Sequence, residues 1–94
     1  MLPLDPDTRP ALAPQVRLRA DPVSGEPVLL YPEGFLQLNT TSHDILTRCD
    51  GVRSIREIVA LLAHEYDAAP AELEADVTEC LRALHGRHFI VLTR

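Results

Sequence analysis

Residues 38–62, reading LNTTSHDILTRCDGVRSIREIVALL, constrain this chain more than any other stretch. They spell two short amphipathic helices separated by an Asp-Gly break. Asn39, Thr40 and Thr41 each offer a side-chain oxygen to the free N–H groups of a helix running from about Thr40 to Cys49. Ile45, Leu46 and Cys49 form its apolar stripe at spacings of three and four. Gly51 is expected to stop it, because glycine accepts the left-handed conformation at a helix end. The next helix begins at Ser54. Ser54 and Glu57 form an S-x-x-E capping box, in which two free donors are satisfied reciprocally. Ile55, Ile58, Val59, Leu62 and Tyr66 then recur at i, i+3, i+4, i+7 and i+11, the clearest helical periodicity in the chain.

The flanks of this stretch complete the plan. Val16 to Ala20 alternates as a half-buried strand does, with Val16 and Leu18 inward and Arg17 and Arg19 outward. Residues 21–27, rich in turn formers, make a loop. Val28 to Tyr31 and Phe35 to Leu38 read as two more short strands, separated by a turn at Pro32-Glu33-Gly34. Such a meander is too short to stand alone and must pack on the helices. A third helix starts near Pro70, a residue suited to the first helical position. Glu72, Glu74 and Asp76 crowd its first turns, where negative charge suits the helix dipole. Leu73, Val77, Cys80, Leu81 and Leu84 form its buried stripe, Gly86 ends it, and Phe89 to Leu92 reads as a final strand or wing. The predicted fold is α+β. It is a small winged helix-turn-helix-like domain over residues 15–94, a three-stranded antiparallel sheet followed by a three-helix bundle. Residues 1–14 carry Pro3, Pro6, Pro10 and Pro14, which prevent a helix and disfavour a central strand, so a flexible or extended arm is expected there, first as a tether and otherwise packed on the domain or on a second copy.

Composition narrows the function. A 94-residue chain makes one domain. At this size it buries only roughly 60–65% of its unfolded surface, too little for a core that encloses an active-site cavity. No apolar run approaches the roughly 20 residues of a membrane span. The start, MLPLDPDTRP, lacks the basic region and apolar core of a secretory signal, so a cytoplasmic location is expected. The nine basic residues are all Arg, against fourteen acids and a net charge of −5. That balance argues against nucleic acid as a partner, since phosphate neutralisation dominates such affinity. Arg can still hold a carboxylate through two parallel hydrogen bonds, which Lys cannot.

Reactive groups are sparse. No G-x-S-x-G, phosphate-cradling glycine loop or H-E-x-x-H occurs. Cys49 and Cys80 lie on apolar helix faces, where a thiol is usually a small core hydrophobe. A disulfide between them stays open, because the first and third helices can touch. Cys80, His85 and His88 are legitimate zinc ligands by type. However, positions five apart on a helix diverge by about 140°, so metal binding is not expected. His85 is read instead as facing the negative end of its helix, and His43 and His64 as solvated. Glu72, Glu74, Asp76 and Glu79 read as a solvated helix face rather than acid–base catalysts. The chain is therefore expected to have no catalytic residue, no metal and no cofactor.

Two strings carry a family resemblance. L-N-x-T-x-x-x-I-L-x-x-C-D-G is here Leu38, Asn39, Thr41, Ile45, Leu46, Cys49, Asp50 and Gly51, and the S-x-x-E-I that follows is Ser54, Glu57 and Ile58. Together with RPALAPQVRLRAD upstream and AELEADVTECLRAL downstream, they resemble the pyrroloquinoline quinone (PQQ) biosynthesis protein D family from about Arg9 onward. The resemblance implies a peptide chaperone and not an enzyme. It would bind the ribosomally made precursor peptide of PQQ and present it to a radical S-adenosylmethionine (SAM) enzyme that crosslinks a Glu and a Tyr. The same fold serves as a recognition element for leader peptides, which add as a strand beside the third strand, in the groove against the third helix. On this chain Phe35, Leu36, Gln37 and Leu38 would supply that strand, and Asp76, Glu79 and Arg82 the polar rim. A short sheet accepts this mechanism, since its edge is a row of unpaired N–H and C=O groups. Arg48, Arg53 and Arg56 are candidates for contact with the partner enzyme, although solubilising charges explain them as well. A monomer or weak homodimer is expected, with neither membrane nor nucleic acid as partner. The alternative is a winged helix-turn-helix DNA-binding regulator, whose layout suits but whose acidic third helix does not. A purely structural subunit of an enzyme complex is a third reading.

Overall fold

The computed structural model describes residues 4–93. In chain order the elements are β1 (Arg9–Leu12), β2 (Arg17–Ala20), β3 (Pro27–Tyr31), β4 (Gly34–Gln37), α1 (Thr40–Leu46), α2 (Ile55–Tyr66), α3 (Pro70–Gly86) and β5 (Ile90–Thr93). β2, β3 and β4 form an antiparallel meander in that order, and β1 pairs with β5 in a separate two-stranded ribbon. The α+β plan of a three-stranded sheet followed by three helices is the one the sequence encodes.

The sheet buries one face. Leu18 and Leu36 flank Leu29 in register, and Leu29 is fully buried. Beneath them the stripes of the helices meet: Ile45 and Leu46 of α1, Ile55, Ile58, Val59 and Leu62 of α2, and Leu73, Val77, Leu81 and Leu84 of α3. Each such side chain contributes about 1.5–3 kcal/mol through removal of apolar surface from water. Cys49 and the half-buried Cys80 remain free thiols.

The helix termini follow the sequence closely. Asn39 Oδ1 accepts from the Ser42 amide at 2.7 Å and caps α1. Ser54 Oγ accepts from the Glu57 amide at 3.2 Å while Glu57 Oε1 accepts from the Ser54 amide at 2.9 Å, the complete capping box. α3 starts with Pro70, as expected. Tyr66, at the end of the α2 stripe, runs past the core. Its hydroxyl donates to the Asp44 carboxylate and ties the end of α2 to α1.

Two expectations need correction. Residues 4–14 are not a tether but pack on the domain, the alternative reading of the arm. Residues 1–3, with Pro3, lie outside the described residues, but Arg9–Leu12 forms β1 and Thr8 and Pro10 are buried. Proline is excluded from a central strand but not from a ribbon in which both strands are edges. The segment also caps α2: the amides of Ile55 and Arg56 donate to the carbonyls of Thr8 and Pro6, each at 2.9 Å. These amides have no partner inside their own helix, so the N-terminal segment belongs to the domain.

Second, α1 ends at Leu46 rather than Cys49. Arg48 and Cys49 continue with tighter bonds to the carbonyls of Ile45 and Leu46, both 3.1 Å. Gly51 does adopt a left-handed φ of 79°, but it turns the loop after α1 instead of stopping the helix. Gly86 ends α3, as expected, and the left-handed residue that turns the chain into β5 is His88, with φ 64°.

Candidate functional site

Antiparallel pairing determines which backbone groups of β4 are free. Tyr31 faces Gly34 across the hairpin turn, and the Leu38 amide donates to the Pro27 carbonyl at 3.0 Å. Hydrogen-bonded pairs alternate along such a ladder. Gly34, Leu36 and Leu38 therefore turn their polar groups toward β3, and Phe35 and Gln37 turn theirs outward. β4 is the last strand of its sheet, and among the described residues no other strand of the chain covers this border.

The opposite border is treated differently. The Asp21 amide donates to the Glu26 carbonyl at 2.8 Å, which makes Leu18 and Ala20 the outward-facing residues of β2. Arg19 Nη1 donates to the Leu18 carbonyl at 2.8 Å, and Arg17 Nη1 to the Pro14 carbonyl at 2.9 Å. Charged side chains folded over an edge block further strand pairing. On β2 this places Arg19 over the outward Leu18 carbonyl, with Arg17 folded over the chain just before the strand; among the described residues no side chain bonds to the outward groups of β4.

An open groove of about 510 Å³ runs along the β4 border. The sheet lines it with Leu36, Gln37 and Leu38, and the start of α1 with Asn39, Thr41, Ser42 and Ile45. α3 supplies Asp76, Glu79, Cys80, Ala83 and Leu84. The floor is apolar and the α3 rim is acidic. Cys80 Sγ lies 3.8 Å from Ser42 Oγ, and burial raises its pKa. Cys49 lies deeper, with its thiol donating to the Ile45 carbonyl at 3.3 Å. Burial pushes its pKa up to about 12, so it stays protonated and inert.

The structure brings Leu36, Gln37, Leu38, Asp76 and Glu79 together in this groove. Phe35 joins them only through its backbone. Its side chain stands on the other face of the sheet, 60% exposed, opposite Leu30. Arg82 does not line the groove. It lies about 100° around the helix from Ala83, beside Glu74, Ala75 and Thr78 on the neighbouring face of α3. Arg48 pairs with Glu65, Arg53 with Asp50 at 2.8 Å and Arg56 with Asp7 at 3.1 Å, so each of these cations has a partner within the chain. Thr41 and Ser42 were not singled out as site residues, although their position just after the predicted edge strand was a usable signal.

Among the described residues, no group of three or more His, Cys, Asp or Glu side chains is arranged to hold a metal ion. No described helix is long and apolar enough to cross a membrane.

Comparison with known proteins supplies the family and the fold. A family model described as "Coenzyme PQQ synthesis protein D (PqqD)" matches residues 26–90. A "PqqA binding protein" of Xanthomonas axonopodis pv. citri is 41% identical over 86 residues, covering 92% of this chain and 94% of the relative. A protein of the same description from Methylococcus capsulatus is 40% identical over 80 residues, covering 85% of this chain and 84% of the relative. Among solved structures, the fold is similar to the PqqD truncation of Methylobacterium extorquens PqqCD, described as a functional, stand-alone recognition element for ribosomally synthesized and post-translationally modified peptides. The TM-score is 0.74 at 38% identity, covering 90% of this chain and 88% of that one. PqqD from Xanthomonas campestris is similar with a TM-score of 0.58 at 37% identity, covering 84% of this chain and 88% of that one.

Proposed function

The chain belongs to the coenzyme PQQ synthesis protein D family, and we propose that it is a peptide-binding adaptor of PQQ biosynthesis that takes up a PqqA-type precursor peptide as an added strand on β4. The guest backbone pairs with the outward N–H and C=O groups of Phe35 and Gln37. Guest residues opposite Leu36 and Leu38 drop their side chains into the groove between β4 and α3. Those opposite Phe35 and Gln37 lie on the outer face, where Phe35 and Leu30 extend an apolar row. Backbone pairing supplies affinity and the groove supplies choice among peptides.

The observation that carries this reading is the contrast between the two borders, β2 with its Leu18 carbonyl taken by Arg19 and β4 left open beside the groove. In this reading the chain performs no chemistry. It works in the cytoplasm and presents the bound peptide to the radical SAM enzyme of the pathway, with exposed surface outside the groove free for that contact.

Proline at position 37 tests the mode of binding. It removes an outward amide and leaves every bond to β3 in place, since proline is tolerated where a strand N–H faces away from its sheet. Gln37→Pro is expected to fold and to lose most peptide affinity. Full affinity in a folded Gln37→Pro chain contradicts strand addition.

A further inference from the structure

The groove is not electrically uniform. At the end beside Leu38 and Ser42 its α3 rim carries Asp76 and Glu79. Past its other end, where Ala83 and Leu84 close the lining, Arg87 stands near the hairpin of β4 without lining the groove itself. The Arg87 guanidinium lies 4.8 Å from the ring centroid of Phe89 and 5.7 Å from that of Tyr31. Its Nη2 is 3.5 Å from the Tyr31 hydroxyl, and that hydroxyl is 3.7 Å from where a Cβ on Gly34 would lie. The two rings thus hold the guanidinium at the hairpin end of β4. Among the described residues no carboxylate pairs with it, in contrast to Arg48, Arg53 and Arg56. A guanidinium stacked on aromatic rings keeps its planar fork of donors available. Asp76, Cys80, Ala83 and Arg87 follow one another in steps of four, three and four, so both charged ends belong to one stripe of α3 and its cap.

We propose that the groove reads the order of charge in its guest, with a basic side chain beside Asp76 and Glu79 and an acidic one at Arg87. This rests on the strand-addition reading above. Every pairing within the sheet is antiparallel, and antiparallel ladders are slightly the more stable. A guest that continues the pattern runs from the Leu38 end toward Gly34. Its side chains opposite Leu38, Leu36 and Gly34 all fall on the groove side, because side chains alternate along a strand. The segment recognised is therefore basic, then apolar, then acidic at alternate positions, with the apolar member against Leu36, Ala83 and Leu84. A guest with the same residues in reverse order meets like charge at both ends.

The test uses the full chain and two labelled synthetic peptides of identical composition. One carries Lys, Leu and Glu at alternate positions in that order, the other carries them reversed. At low salt the forward peptide is expected to bind roughly tenfold more tightly, exposed charge pairs each being worth a few-fold. The preference shrinks as salt rises. In a chain carrying Asp76→Arg, Glu79→Arg and Arg87→Glu the order of preference inverts. If that variant does not fold, Arg87→Gln alone is expected to narrow the preference in the wild-type direction. Equal binding of the two peptides by the wild type, or an unchanged preference in a folded variant, overturns the proposal. The amide resonances of Phe35 and Gln37 separate the two levels. If they shift with both peptides at equal affinity, strand addition stands and charge reading falls. If they shift with neither, both fall.

Discussion

The Gly51 amide donates to the Pro10 carbonyl at 2.9 Å, joining the loop after α1 to the N-terminal strand. Gly51 sits at φ 79°, and a Cβ there would lie 3.4 Å from the Ala11 Cβ. Left-handed backbone costs most residues about 1–2 kcal/mol, while the distance to Ala11 is an ordinary van der Waals contact, so the cost lies in the backbone. Gly51→Ala is therefore expected to lower the urea midpoint by that order of free energy with an unchanged slope. An unaltered midpoint would show that the loop relaxes at no cost.

The capping box gives a second expectation. Ser54→Ala removes an acceptor for the Glu57 amide and should cost about 1 kcal/mol of stability. The box is remote from the groove, so peptide affinity in the folded variant should not change. A loss of affinity without a loss of fold would mean that α2 communicates with the site.

Acid stability follows from the same motif. The Ser54 amide and hydroxyl hold the Glu57 carboxyl below its ordinary 4.5, and the amides of Arg53 and Val52 hold Asp50 below its ordinary 3.8. For groups whose folded pKa is depressed, the stabilisation is fully present above the unfolded value and is lost as pH falls through the folded one. Stability should thus be insensitive to these groups at neutral pH and decline from about pH 4.5 downward. Glu57→Gln should flatten part of that decline in urea titrations across pH, and an identical acid limb would remove Glu57 from the account.

Much of this architecture is legible in local spacing. Ser54 and Glu57, Pro70, and the stripe from Ile55 to Leu62 each signal themselves within a few residues, and each forms as expected. β1 does not, because its partner β5 lies at the other end of the chain and four prolines dominate the local signal. Gly51 announced left-handed backbone correctly, yet the carbonyl that accepts its amide, Pro10, is distant in sequence. At the site, the position of β4 at the end of the sheet was readable. The covering of the other border by Arg19 was not, since it depends on one rotamer. Arg82, expected with Asp76 and Glu79 on the polar rim, lies on the neighbouring face of α3, a turn of about 100° per residue deciding which side chains share a face. The same turning, carried past Gly86, leads to Arg87.

The two thiols provide a probe of the groove. Cys80 lines it and is partly exposed, whereas Cys49 is buried with a pKa of about 12. Iodoacetamide at mildly alkaline pH is expected to modify Cys80 first and slowly, leaving Cys49 intact in the folded chain. A bound peptide should slow the reaction at Cys80 further. Equal rates with and without saturating peptide would place the guest elsewhere.

Hydrogen exchange at the β4 border tests the central claim most directly. Without peptide, the outward amides of Phe35 and Gln37 should exchange fast, and that of Leu36, turned toward Leu29 of β3, slowly. At saturating precursor peptide, Phe35 and Gln37 should become protected together while Leu36 changes little. If both outward amides still exchange at their free rates under saturation, the peptide does not complete the sheet and the account is contradicted.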